Sequence, residues 1–160
     1  MMDRKMRGGW YYTNEVWLSP AYQKLTLSAR NLLQCLVTEI RWSGKGKKRI
    51  YINNGEVSYT GVDFKKRFGC CSMTYLKARN QLIEVGFIKQ TYRGGMCRGD
   101  RAKYRILIVL DVIPAQQRWR KYPDETWESE IPKPKKQLVG VETQWKKGQS
   151  GRKTKATLSE

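Results

Sequence analysis

Histidine does not occur in this chain of 160 residues. Its absence removes the commonest general base at neutral pH, every catalytic triad built on an imidazole and every His-ligated metal site. Carboxylates are scarce, with 14 Asp and Glu against 32 Lys and Arg. They are also scattered, and no D-x-D cluster offers two-metal chemistry. The densest acidic residues, Asp124, Glu125, Glu128 and Glu130, fall in a linker-like stretch. Only four cysteines occur, Cys35, Cys70, Cys71 and Cys97, and none is spaced C-x-x-C. A zinc ion on all four would force adjacent Cys70 and Cys71 to converge on one metal, so free thiols in a reducing compartment are expected, with Cys35 buried on a helix. Long apolar runs are missing as well. The best is residues 106–110, far short of a membrane span, and the basic N-terminus lacks the apolar stretch of a signal peptide. The expectation is a non-enzymatic, cytoplasmic protein with no catalytic residues, cofactor, metal or membrane partner.

What the chain has in excess is positive charge, +18 net. Such an excess repels itself in a compact state, and a polyanion is the partner that compensates it. Nucleic acid is the first reading. The length suits one domain with a tail, and the 39% hydrophobic content supports a small core.

Along the chain, residues 1–9 read as a flexible basic arm. Residues 10–18 are rich in aromatic and β-forming types and read as an extended segment. Ser19-Pro20 starts a helical turn ending at Leu25. Thr26 or Ser28 caps a long helix whose face is centred on Leu33, Val37 and Ile40. Residues 43–49 form a basic loop containing Lys47 and Lys48. Its Gly46-Lys47 pair is no phosphate-binding loop, because Lys48 follows and no Gly stands five positions before Gly46.

Residues 50–52 read as a short strand, and residues 56–59 extend or pair with it. Thr60 caps a short helix that places Val62, Phe64 and Phe68 inward and Lys65, Lys66 and Arg67 outward, and Gly69 stops it. Ser72 then caps a second helix, about residues 72–85. Tyr75, Ala78 and Leu82 form its core stripe, with Leu76 and Ile83 at the edge. Ser72, Met73, Thr74, Lys77, Asn80 and Gln81 face outward. Gly86 ends it. Two antiparallel strands, 91–93 and 103–109, flank a tip in a region carrying Arg93, Arg98, Arg101, Lys103 and Arg105. The compact part ends at Pro114. Residues 115–129 read as a short docking segment for Trp119 and Tyr122, and 130–160 as a disordered basic tail.

The layout L-T-L-S-A-R-N-L-L, F-K-K-R-F-G, then M-T-Y-L-K-A-R-N-Q-L-I-E-V-G-F-I and Y-R-I resembles the winged helix-turn-helix domains of phage and plasmid proteins, including phage replication-initiator DNA-binding domains. The resemblance covers about residues 10–114, and its most specific piece is A-R-x-x-L-x-x-x-G-F-I at residues 78–88. It implies an α+β fold, a three-helix core with a β-hairpin wing, followed by the tail. It implies a recognition-helix surface of Ser72, Met73, Thr74, Lys77, Asn80 and Gln81, with Arg93, Arg98 and Arg101 on the wing. Lys103, Lys65, Lys66, Lys47 and Lys48 add backbone contacts. Cys70-Cys71 departs from the family's usual pattern, where a small apolar residue and Ser stand, and so do Met73 and Tyr75, where smaller residues are frequent.

The expected activity is sequence-specific or semi-specific binding of double-stranded DNA in phage or plasmid replication initiation, inside a bacterial host. Transcription regulation by a homodimer is the alternative, and a protein-interaction adaptor ranks below both. The tail would add nonspecific DNA attraction or bind a replication or transcription partner.

Overall fold

Hydroxyl caps set where the chain becomes helical. Thr13, Ser19, Thr26 and Thr60 each accept a hydrogen bond from a backbone N–H in the first turn that follows, satisfying a donor the helix cannot use itself. The helices they begin are α1 (Asn14–Leu18), α2 (Pro20–Lys24), α3 (Leu27–Thr38) and α4 (Gly61–Phe68). The computed structural model describes residues 12–43, 50–95, 99–109 and 112–133. A fifth helix, α5 (Ser72–Glu84), follows α4 across a three-residue turn.

Four strands complete the described residues. β1 (Trp42–Ser43) pairs antiparallel with β2 (Ile50–Tyr51), and β3 (Ile88–Tyr92) pairs antiparallel with β4 (Lys103–Ile106). The β3–β4 ladder aligns Ile88 with Ile106, Lys89 with Arg105 and Gln90 with Tyr104, then slips at a bulge before Tyr92 meets Lys103. Val57 adds an isolated antiparallel bridge to Tyr104, whose N–H donates to the Val57 carbonyl at 2.8 Å. The chain is therefore a mixed α+β fold with an antiparallel hairpin.

The core forms where α3 crosses α5 and the hairpin closes beneath them. Leu32, Leu33, Leu36 and Val37 of α3 are buried together with Phe64, Tyr75, Ala78, Leu82, Phe87, Ile88, Tyr104 and Ile106. Tyr75 also donates its hydroxyl to the Tyr59 carbonyl at 2.7 Å, which ties α5 to the segment leading into α4.

Several expectations change in detail. Residues 14–18 are helical rather than extended, because the Thr13 cap and Glu15 in the first turn favour a helix start. Trp17 still packs, with its ring 5.0 Å from that of Tyr22. Ile40 lies beyond the end of α3 and is half-buried. Val62 is 77% exposed, not a core contact, and Phe68 reaches Phe64 from the rim, with ring centroids 4.7 Å apart. Ile83 is fully buried while Leu76 is exposed. The β4 ladder ends at Ile106. Leu107, Ile108 and Val109 stay buried, but they run as bends, with Leu107 donating to the Phe87 carbonyl at 2.9 Å.

Beyond the hairpin the chain folds back as three single 3-10 turns, Pro114–Gln116, Arg118–Lys121 and Glu128–Glu130. Trp119 is 3% exposed and stacks on Phe87 with ring centroids 6.1 Å apart. The Trp127 N–H donates to the Glu84 carbonyl at the end of α5. Ile131 packs on the core, within the stretch expected to belong to the tail. Gly86 makes this strap's approach workable. Its φ is +80°, and a Cβ there would lie 2.6 Å from Arg118 Cβ.

The basic arm, the loop with Lys47 and Lys48, and residues 134–160 of the tail lie outside the described residues.

Candidate nucleic-acid interface

α4 ends in Lys65, Lys66 and Arg67, all exposed and all in its last turn, where cations complement the helix dipole. Gly69, with φ +66°, then reverses the chain. Three residues later, at Ser72, α5 begins, so three cations lead directly into its N-terminal end.

The N-cap of α5 is Cys71 rather than Ser72, which occupies the first helical position. The Cys71 sulfur lies 3.3 Å from Thr74 Oγ1. The Thr74 hydroxyl and the Thr74 and Met73 amides hold the Cys71 thiol below its usual pKa, as the positive end of a helix does for an exposed sulfur.

On α5, Tyr75, Ala78 and Leu82 are consumed by the core. Steps of four and three from Met73 reach Lys77 and Asn80, so these three share the middle of the opposite face. Met73 and Lys77 are exposed and Asn80 is half-buried. Ser72 and Leu76 flank this strip on one side, both exposed, and Thr74 lies at its other margin.

Gln81 does not join the outward strip. Its Oε1 accepts from the Thr26 N–H and the Thr26 hydroxyl, each at 3.0 Å, and its Nε2 donates to the Lys24 carbonyl at 3.1 Å. It clamps the α2–α3 junction to α5, so a base contact would require breaking three hydrogen bonds. Asn80 is also engaged, since Arg79 donates to its Oδ1 from Nε at 3.2 Å and from Nη2 at 2.8 Å. The Asn80 amide oxygen is therefore already in use. Arg79 was absent from the expected site, although it stands beside the strip and carries a cation into it.

On the hairpin, Arg101 is exposed. Lys103 stands 3.8 Å from Glu56, a loose surface pair. Arg93 donates from Nη2 to the Lys133 carbonyl at 2.6 Å, which spends one of its donors on the returning strap. The Tyr92 hydroxyl donates to Asp100 Oδ2 at 2.9 Å and steadies the base of the tip. Arg98 lies outside the described residues, as do Lys47 and Lys48.

The structure thus brings Met73, Lys77 and Asn80 together, with Lys65 and Lys66 on the preceding helix. It leaves Lys103 and Arg93 with partners of their own and commits Gln81 to the fold. Comparison with protein-family models, with curated proteins and with solved structures found no match. Among the described residues no group of His, Cys, Asp or Glu is arranged to hold a metal ion, and no helix is long and apolar enough to cross a membrane.

Proposed function

We propose that this chain is a winged helix-turn-helix protein that grips double-stranded DNA, with the outward strip of α5 in the major groove and the β3–β4 hairpin as the wing. The order of elements supports this: a long helix, a bridging residue at Val57, a short helix, a three-residue turn, a second helix and an antiparallel hairpin. The observation that carries the reading is the outward strip of exposed Met73 and Lys77 with half-buried Asn80, immediately after three exposed cations, on a chain of net charge +18.

Lys65, Lys66, Arg67 and Arg101 neutralise phosphates and release counterions, which supplies affinity without sequence choice. Choice comes from the strip. Lys77 reaches a guanine edge or a phosphate, Met73 and Thr74 meet a thymine methyl, and Asn80 reads adenine after exchanging Arg79 for the base. The resemblance to replication-initiator domains points to phage or plasmid replication initiation as the setting, and transcription regulation uses the same chemistry.

Titration of the full chain with random duplex DNA across a salt series tests the reading. Affinity is expected to fall linearly on logarithmic axes, with a slope of about −0.9 per phosphate contacted. Lys65→Glu with Lys66→Glu should weaken binding on every sequence. Binding indifferent to salt, or none at low salt, would remove the proposal. Selection of binding sites from a random pool then distinguishes a palindrome read by a dimer from an asymmetric origin sequence.

A further inference from the structure

The outer face of the hairpin, away from the core, carries two features that cost stability and that converge on one cavity. Lys89 and Arg105 are direct cross-strand partners, alternating with the inward pairs Ile88–Ile106 and Gln90–Tyr104. Like charges placed directly opposite on a sheet repel. Arg105 also has its Nε buried without a hydrogen-bond partner among the described residues, an arrangement proteins normally avoid for a charged donor.

Both residues line a half-open cavity of about 330 Å³, enclosed on its other sides by Arg118, Lys121, Glu125 and Trp127 of the returning strap. Four cations thus face one carboxylate across the space. Two of the four are already matched: Arg118 Nη1 forms an ion pair with Glu130 at 2.8 Å, and Lys121 donates to Glu125 at 3.0 Å. Lys89 lies near enough to Glu130 to help Arg118 hold that carboxyl below its usual pKa. Arg105 has no such carboxylate in the described structure.

We propose that this cavity is a binding site for a phosphate group. A tetrahedral dianion offers several acceptor oxygens at once. It would take the buried Nε and the remaining donors of the Arg105 fork, accept the Lys89 ammonium from across the ladder, and neutralise the repulsion between the two. The volume exceeds what a lone phosphate fills. The site uses none of the residues assigned to the α5 strip, so the phosphate-dependent rise in Tm tests it separately from base reading by that strip. The phosphate has two available sources, a free phosphate or mononucleotide, and a backbone phosphate of nucleic acid passing the outer face of the hairpin.

Thermal unfolding of the full chain in millimolar sodium phosphate, against sodium chloride at equal ionic strength, reads the site directly. Phosphate at ten times its Kd is expected to raise Tm by roughly 3–6 °C. Arg105→Gln and Lys89→Gln should each abolish most of that rise, while Lys24→Gln, on the exposed end of α2, should keep it. Lys89 is exposed, so its substitution reports even if Arg105→Gln fails to fold.

Duplex binding at fixed ionic strength separates the sources. If the phosphate belongs to nucleic acid, Lys89→Gln weakens duplex binding and inorganic phosphate competes with it. If the ligand is a small phosphate, duplex affinity is unchanged while the Tm rise is lost. Equal Tm in phosphate and chloride, or a rise that survives both substitutions, would overturn the site.

Discussion

Gln81 and Lys77 lie one helical turn apart on α5, yet Gln81 is bonded to the α2–α3 junction while Lys77 is exposed. Gln81 caps the α2–α3 junction through Thr26 and Lys24, residues 55 and 57 positions earlier. Gln81→Ala is therefore expected to cost about 1–2 kcal/mol of stability, read by denaturant unfolding, with little change in DNA sequence preference. Lys77→Ala should do the reverse, leaving the unfolding midpoint in place and altering preference among sites in a binding selection. Uniform loss of affinity across sequences would instead assign Lys77 to a phosphate.

Sequence alone shows the stripe of Tyr75, Ala78 and Leu82 because apolar spacing is a local property. It cannot separate Gln81 from Asn80, because a polar residue at the margin of that stripe looks the same whether it meets a base or a distant helix. Cys71 is another case. Its place in the cap follows from the turn at Gly69, and the Thr74 hydroxyl holds its thiolate form at lower pH than an ordinary exposed thiol. Alkylation by iodoacetamide, mapped by mass spectrometry, should reach half its limiting rate at Cys71 below the usual thiol range. Thr74→Val should move that midpoint upward, and buried Cys35 should stay unreactive throughout.

Among the elements, the helices and their stops were the most legible. Thr60 and Gly69 bracket α4 as their types require, since a hydroxyl satisfies a first-turn donor and only glycine enters the left-handed conformation without strain. α1 was misread because W-Y-Y-T-N-E-V-W-L is rich in β-forming residues, and a cap at Thr13 outweighs that preference over so short a segment. The strap was only partly legible. Trp119 announced a docking residue, but its seat on Phe87 depends on a glycine more than thirty positions earlier. Gly86→Ala tests that dependence. A Cβ at φ +80° is strained and would also collide with Arg118, so a loss of more than about 1 kcal/mol is expected. The loss should be accompanied by a change in tryptophan fluorescence as Trp119 leaves Phe87. An unchanged spectrum would mean that the strap tolerates the side chain by moving as a unit.

At the scale of the whole molecule, charge is the property that no single element accounts for. Residues 134–160 carry seven Lys and Arg against two Glu, a sizeable share of the net +18. The α4 cations and Arg101 belong to the described fold, whereas those seven follow the last strap residue. Counterion release is additive over phosphates neutralised, while base reading depends on the geometry of one helix face. The two contributions should therefore come apart when the chain is shortened at Lys133. The truncated protein is expected to bind duplex DNA more weakly at low salt, with a shallower dependence of log K on log salt, and to select the same sequences from a random pool as the full chain. Anisotropy titrations at several salt concentrations give the slope, and the selection gives the preference. A slope unchanged by truncation would place the phosphate contacts on α4 and the hairpin. A changed preference would mean that residues 134–160 themselves take part in reading the bases.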